Sequence, residues 1–297
     1  MYKTIIDIGT NSLKVFVFDI SQQTPIEVKK VKIKNRLGDN ILENSNISNI
    51  GIENTINIIS ELKDSLSCFK NNTYAIFGTE IFRRAGNIST FSQKFYDKTN
   101  VNINILSQEE EAEYFWKGIV GDFEWDGIIA AIDIGGGSVQ FMYGTKEKLH
   151  KVHKLKTGAL FLRNKFIPTD PPNISNYHEI EKHIQSQIAN IDITFPQETP
   201  FIHGSTSVIS FFKESKIRMS NYKNSKLHPY KIDLNDVDYL YKKMRTLPSS
   251  ERQKYFPSQP EYTDGCSIGF ANVLQIAKKT GLSYELPSNN SLIHGFI

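Results

Sequence analysis

Two acidic turns, far apart in the chain, carry the residue types that handle phosphate. Ile5-Ile6-Asp7-Ile8-Gly9-Thr10-Asn11-Ser12 lies near the N-terminus, and Ala131-Ile132-Asp133-Ile134-Gly135-Gly136-Gly137-Ser138 repeats the pattern downstream. In each, an apolar run reaches an acid, turns through glycine, meets a hydroxyl residue and leaves as a second apolar run. The exits are Leu13 to Phe18 and Val139 to Tyr143. Glycine and small polar residues let backbone N–H groups come close to an anion. Asp7 and Asp133 suit Mg²⁺, a hard cation that uses few carboxylates and completes its shell with water and phosphate. One such turn alone is an ordinary hairpin. Two, with acid, glycine and serine at matched offsets, point to a phosphate clamp. His203-Gly204-Ser205-Thr206 follows the apolar pair Phe201-Ile202 as a strand-to-helix turn and is a further anion-site candidate.

These turns need sheets behind them. Strand and helix patterns alternate along the chain, which argues for α/β architecture. Strands are expected through both hairpins, at residues 27–34, 73–77 and 101–106, and at Phe201-Ile202. Ile52, Ile56, Ile59, Leu62 and Leu66 follow helical spacing. Ser107 and Glu110 form a capping box ahead of a helix from Glu111 to Ile119. The polar stretch from Gly118 to Gly127 reads as a boundary and hinge, giving domains 1–121 and 122–297. The second hairpin then opens the second half, as though one domain plan were written twice.

Bulk properties narrow the function classes. The chain has 297 residues, enough for two cored domains, with 39% hydrophobic and 23% charged residues. Its net charge of +3 suits a small polyanion and falls short of the basic face of a nucleic-acid binder. Cys68 and Cys266 stand far apart with no C-x-x-C, so neither a disulfide framework nor structural zinc is expected. His150-x-x-His153 lacks an identifiable third ligand. The lysines 146, 148, 151, 154 and 156 beside them read either as a polyanion channel or as a solvated strand face. No apolar run is long enough to span a membrane. With a strand starting within a few residues of Met1, no signal peptide is expected and cytoplasm is the expected compartment.

The ordered set of motifs resembles the exopolyphosphatase and guanosine pentaphosphate phosphatase family, within the superfamily of sugar kinases, actin and heat-shock chaperone ATPases. The resemblance runs through Asp7 to Ser12, Arg36-Leu37-Gly38, Gly78-Thr79 with Arg83, Ala85 and Asn87, and Glu110-Glu111-Ala112 with Gly118. It continues through Asp133 to Ser138, Thr157-Gly158, Asp170-Pro171-Pro172, Gly204-Ser205-Thr206 and Glu251-Arg252. Each motif is weak alone, and their order is specific. The resemblance implies two ribonuclease-H-like (actin-like ATPase) domains with an interdomain cleft, in the short two-domain form. It implies a Mg²⁺-dependent hydrolase that releases terminal phosphate from inorganic polyphosphate or guanosine pentaphosphate, and it is compatible with a homodimer.

Site residues follow from the same resemblance. Asp7 and Asp133 match the metal-binding acids. Backbone groups at Gly9, Thr10, Asn11, Ser12, Gly135, Gly136, Gly137 and Ser138, with Arg36 and Gly204, Ser205 and Thr206, match the phosphate contacts. Arg83 matches a phosphate-contacting arginine, and Glu111 the catalytic base. Arg84 reads as a surface charge. Gln140 departs from the pattern, because the family carries Glu there, a residue implicated in metal binding and catalysis; Gln has no charge for Mg²⁺ and takes no proton. Tyr262 stands where the family usually has Arg. Two other readings stay open. One is a non-catalytic sensor of polyphosphate or guanosine tetraphosphate, marked by Gln140. The other is an ATP-dependent small-molecule kinase, because Asp7 to Lys14 also resembles the first phosphate loop of carbohydrate kinases.

Overall fold

The computed structural model describes residues 1–10, 12–35, 37, 46–205 and 207–297. The chain divides into two compact units, residues Met1–Gly118 with Leu292–Ile297, and Ile119–Ser291.

In the first unit β1 (Tyr2–Ile8), β2 (Ser12–Asp19) and β3 (Ile26–Lys34) run as an antiparallel meander. Then come α1 (Asn49–Ser65), β4 (Asn72–Gly78), α2 (Glu80–Arg84), α3 (Ile88–Thr99), β5 (Ile103–Ile105) and α4 (Gln108–Val120). The sheet order is β3-β2-β1-β4-β5, with β4 and β5 parallel to β1. β1 is apolar on both faces because both are covered. Ile6, Ile8, Leu13, Val15 and Val17 pack against Ile52, Ile56, Ile59, Phe91 and Phe95 of α1 and α3. On the other face Ile5, Phe16, Phe18 and Phe77 meet Leu106 and Ile293.

Ile293 belongs to a C-terminal turn, Leu292–Phe296, that closes this second face. The Phe296 ring stacks on Tyr114 at 4.0 Å and on Phe77 at 4.7 Å, and Lys3 Nζ donates to the Phe296 carbonyl at 2.6 Å. A scheme that runs the second domain to residue 297 therefore needs correction: the last six residues complete the core of the first unit.

The second unit repeats the plan with β6 (Ile129–Ile134), β7 (Val139–Gly144), β8 (Leu149–Leu155), α5 (Ala159–Phe166), α6 (Ile174–Ile188), β9 (Phe201–Gly204) and α7 (Val208–Glu214). It is completed by β10 (Ser220–Asn221), β11 (Tyr230–Asp233), α8 (Leu234–Met244), α9 (Ser249–Arg252), α10 (Thr263–Thr280) and β12 (Tyr284–Ser288). The sheet order is β10-β11-β12-β9-β6-β7-β8. Its segment β8-β7-β6-β9-β12 has the strand order and directions of the first sheet, so both units are ribonuclease-H-like. The boundary segment is firmly held within the second unit. Asp122 accepts from Ser225 Oγ at 2.7 Å and from the amides of Lys226 and Leu227 at 2.6 and 2.8 Å. A carboxylate taking three donors fixes its own loop.

Candidate active site

The two hairpins share one geometry. In β1–β2, Asp7 lies opposite Lys14 and Ile8 opposite Leu13, and Gly9 N donates to Ser12 O at 3.1 Å. In β6–β7, Asp133 lies opposite Gln140 and Ile134 opposite Val139, and Gly135 N donates to Ser138 O at 3.0 Å. Gln140 is thus the positional counterpart of Lys14. The parallel neighbours are offset by one residue: Gly78 at the exit of β4 pairs with Ile8, the residue after the acid, and Gly204 at the exit of β9 pairs with Asp133 itself.

Around the first turn the structure gathers Asp7, Lys14, Arg83 and Glu111. Lys14 Nζ lies 3.6 Å from Asp7 Oδ2. Burial pushes the Asp7 carboxyl up from the usual range, and Lys14 pulls part of that back. The capping box forms as the sequence predicts, with Ser107 N donating to Glu110 Oε2 at 2.8 Å and Glu110 N to Ser107 Oγ at 3.1 Å. That commits Glu110 to the helix end and leaves Glu111, the next residue of α4, for other work. Arg83 on α2 donates through Nη1 to Glu111 Oε2 at 2.9 Å and to the Leu106 carbonyl at 2.8 Å. Nη2 and Nε of Arg83 make no hydrogen bond among the described residues. Arg84 is exposed and, among the described residues, pairs only with Glu80, at 3.7 Å.

Burial raises the Glu111 carboxyl above the ordinary carboxylate range; Arg83 pulls it down, and the charges of Asp7 and Glu80 push it up. A buried, raised carboxyl beside a guanidinium is a candidate general base, a setting that structural ion pairs share. Removing Arg83 removes the restraint, so Arg83→Ala should raise Glu111 further. If Glu111 is the base, it acts when deprotonated, and its active fraction at a given pH then falls. The acid limb of a kcat/KM–pH profile should therefore move to higher pH in Arg83→Ala; a limb that stays or moves down would count against Glu111 as base.

Around the second turn, Gly135 to Ser138 are exposed and Asp133 is half-buried. Helix α5 holds this turn from behind. The amides of Ala159, Leu160 and Phe161 donate to the carbonyls of Gly135 and Gly136 at 3.0, 3.0 and 2.9 Å. With these carbonyls drawn toward α5, the amides of Gly136 and Gly137, which donate to no backbone carbonyl among the described residues, remain for an anion. Gly158 makes the approach feasible, since a Cβ there would lie 2.2 Å from Gly137 C.

Gly204 adjoins Asp133, but the Ser205 amide is spent on the Ser288 carbonyl at 2.9 Å, and the Ser205 side chain bonds Tyr262. That amide is not available to an anion as the strand-to-helix reading expects. Asn11, Arg36 and Thr206 lie outside the described residues. Asp170 and Arg252 prove to be a structural pair. Asp170 accepts from Ser249 N at the start of α9 and lies 3.6 Å from Arg252 Nη2.

No cluster of three or more His, Cys, Asp or Glu residues able to hold a metal occurs among the described residues. Mg²⁺ does not require one, because it takes one or two carboxylates and fills its shell with water and phosphate. The donor set fits. Asp133 lies opposite Gln140 in the β6–β7 register, and Gln140 Oε1 is buried with no hydrogen-bond partner among the described residues. Lys14, which motif reading overlooks, lies opposite Asp7 across the tight turn, as counting residues would place it.

A model of the Ppx/GppA phosphatase family matches residues 16–278. A bifunctional 3-dehydroquinate synthase/phosphatase of Fusobacterium nucleatum is 29% identical over 184 residues, 59% of this chain and 27% of that protein. A guanosine-5'-triphosphate,3'-diphosphate pyrophosphatase of Aliivibrio fischeri is 28% identical over 160 residues, 54% of this chain and 32% of its own length. The chain thus spans less than a third of either relative. Among solved structures, the Aquifex aeolicus Ppx/GppA family member matches with TM-score 0.86 and 20% identity, over 100% of this chain and 96% of that one. An exopolyphosphatase of Cytophaga hutchinsonii matches with TM-score 0.81 and 20% identity, over 99% and 96%.

Proposed function

The chain belongs to the Ppx/GppA phosphatase family, and from that premise we propose that it hydrolyses phosphoanhydride bonds, releasing terminal orthophosphate from inorganic polyphosphate or guanosine pentaphosphate. The observation that carries this reading is the Arg83–Glu111 pair, a raised carboxyl gripped at 2.9 Å by a guanidinium. The named phosphatase, pyrophosphatase and exopolyphosphatase relatives support it.

Phosphoryl transfer to water asks a protein mainly for positioning and charge neutralisation. Glu111 would orient the water and take its proton. Arg83 spends Nη1 on Glu111 and the Leu106 carbonyl, so Nη2 and Nε are left to meet phosphoryl oxygens in the forked manner of guanidinium. In the second unit, the Gly136 and Gly137 amides would take phosphoryl oxygens. Asp133 with Gln140 Oε1, and Asp7 in the first unit, are the residues that would hold Mg²⁺, which when bound neutralises phosphate charge.

The test is orthophosphate release from long-chain polyphosphate and from guanosine pentaphosphate, with and without Mg²⁺. Folded protein that releases none from either substrate refutes the proposal. Gln140 favours a second reading, a sensor that binds the same polyanions without turnover. Gln140→Glu separates the two. If Glu111 is the base, the variant should change turnover only a few-fold. A sensor should bind without releasing phosphate and gain hydrolysis sharply on this substitution.

A further inference from the structure

At the edge of the second sheet lies a cavity of about 370 Å³ that the phosphate chemistry does not use. Trp125, Glu198, Tyr222, Asn224, Lys231 and Tyr284 line it. Its place is fixed by strand direction. β12 runs parallel to β9 with Ser288 opposite Gly204, so Tyr284, at the start of β12, lies about 13 Å back along the strand, toward the other end of the sheet from the phosphate turn.

The walls are held in place by hydrogen bonds of their own. Trp125 Nε1 donates to the Ile128 carbonyl at 3.1 Å, and the Tyr284 hydroxyl donates to the Glu198 carbonyl at 2.7 Å. The Tyr222 and Tyr284 rings sit 6.4 Å apart, and the Asn224 carbonyl anchors the Glu124 amide at 2.8 Å. The two tyrosine rings are tilted by 42° to one another, so a planar group has one aromatic face at a time to lie against. Lys231 Nζ lies 3.8 Å from the centre of the Tyr284 ring and forms no ion pair among the described residues. An ammonium seated on an aromatic face, without a carboxylate partner, calls for an anion. The Glu198 carboxylate and the Asn224 amide can read the N–H and acceptor edge of a heterocycle. The Tyr222 hydroxyl, between Asn224 and Tyr284, adds a further polar group to the wall. The volume lies in the range of small-molecule sites, roughly 300–1,000 Å³.

We propose that this cavity is a second ligand site that binds a purine nucleoside monophosphate, with the base against the aromatic wall and the phosphate on Lys231. It is separate from the site of hydrolysis and does not depend on that reading.

Calorimetric titration of the full chain with GMP and AMP tests it. At least one should bind saturably, and guanosine and ribose 5-phosphate should each bind more than tenfold more weakly than GMP. Lys231→Ala should weaken nucleotide binding more than tenfold while leaving guanosine binding unchanged, and Lys231→Arg should restore it. A misfolded variant would lose both ligands, so the guanosine arm separates folding from recognition. Absence of saturable binding at millimolar nucleotide overturns the proposal. So does nucleotide binding that Lys231→Ala leaves intact, because the ligand then sits elsewhere.

Discussion

Glu111→Gln should lower orthophosphate release by about 10²–10⁴-fold, the span lost with a true general base, and should do so without unfolding the protein. Glutamine keeps the shape and still accepts from Arg83 Nη1, so the contact between α2 and α4 survives. The stability sign can be worked out. The folded-state pKa of Glu111 is raised, so its protonated form is favoured by folding. That contribution is fully present below the unfolded pKa and is lost as pH rises through the folded value. At neutral pH the charged carboxylate is a liability that a neutral amide removes. Hydrolysis should therefore collapse while the melting temperature holds or rises. Turnover within a few-fold of wild type would remove Glu111 from the mechanism, whatever the substrate.

Gly158→Ala should cost about 3 kcal/mol of stability, the upper end for overpacking, together with most phosphate affinity. A methyl group at this position would lie 2.2 Å from Gly137 C, 2.3 Å from Ser138 N and 2.5 Å from Gly136 O. Every obstacle is backbone, so no side chain can rotate out of the way. Relief requires the second turn or the start of α5 to move, and the three amides that α5 directs at Gly135 and Gly136 then lose their acceptors. Gly269→Ala in α10 is the control. Its nearest neighbour is Ile134 Cδ1 at 3.7 Å, an ordinary contact, so the substitution should stabilise by about 0.5–1 kcal/mol. A Gly158→Ala protein with wild-type melting and phosphate binding would show that the close approach of α5 is not needed.

What the sequence makes legible here is local. Both hairpins, the capping box at Ser107 and Glu110, and the helix cap at Asp233, which accepts from Asn235 N at 2.8 Å, follow from residues a few positions apart. The Arg83–Glu111 contact joins two helices 28 residues apart, and no periodicity encodes it. Family resemblance flags both residues for chemistry and gives no hint that they touch. Gly158 reads as a turn residue; that its missing side chain makes room for Gly137 emerges only when two distant loops meet. Tyr262 reads as a departure from a pattern, and in the fold it becomes the partner of Ser205. The Ser205 amide of the third anion-site candidate has the same origin, since a β12 carbonyl more than 80 residues away claims it.

The turn at Leu292–Phe296 sets an order of events during synthesis. Domains generally assemble as units while the chain emerges, N-terminal part first. Here Phe16, Phe18, Phe77 and Tyr114 leave the ribosome well before Ile293, His294 and Phe296, which pack against them. Until the whole of Ile119–Ser291 has been translated, that aromatic face lacks the part of its cover that Leu292 to Phe296 supply. The first unit is therefore completed only after the residues that form the second.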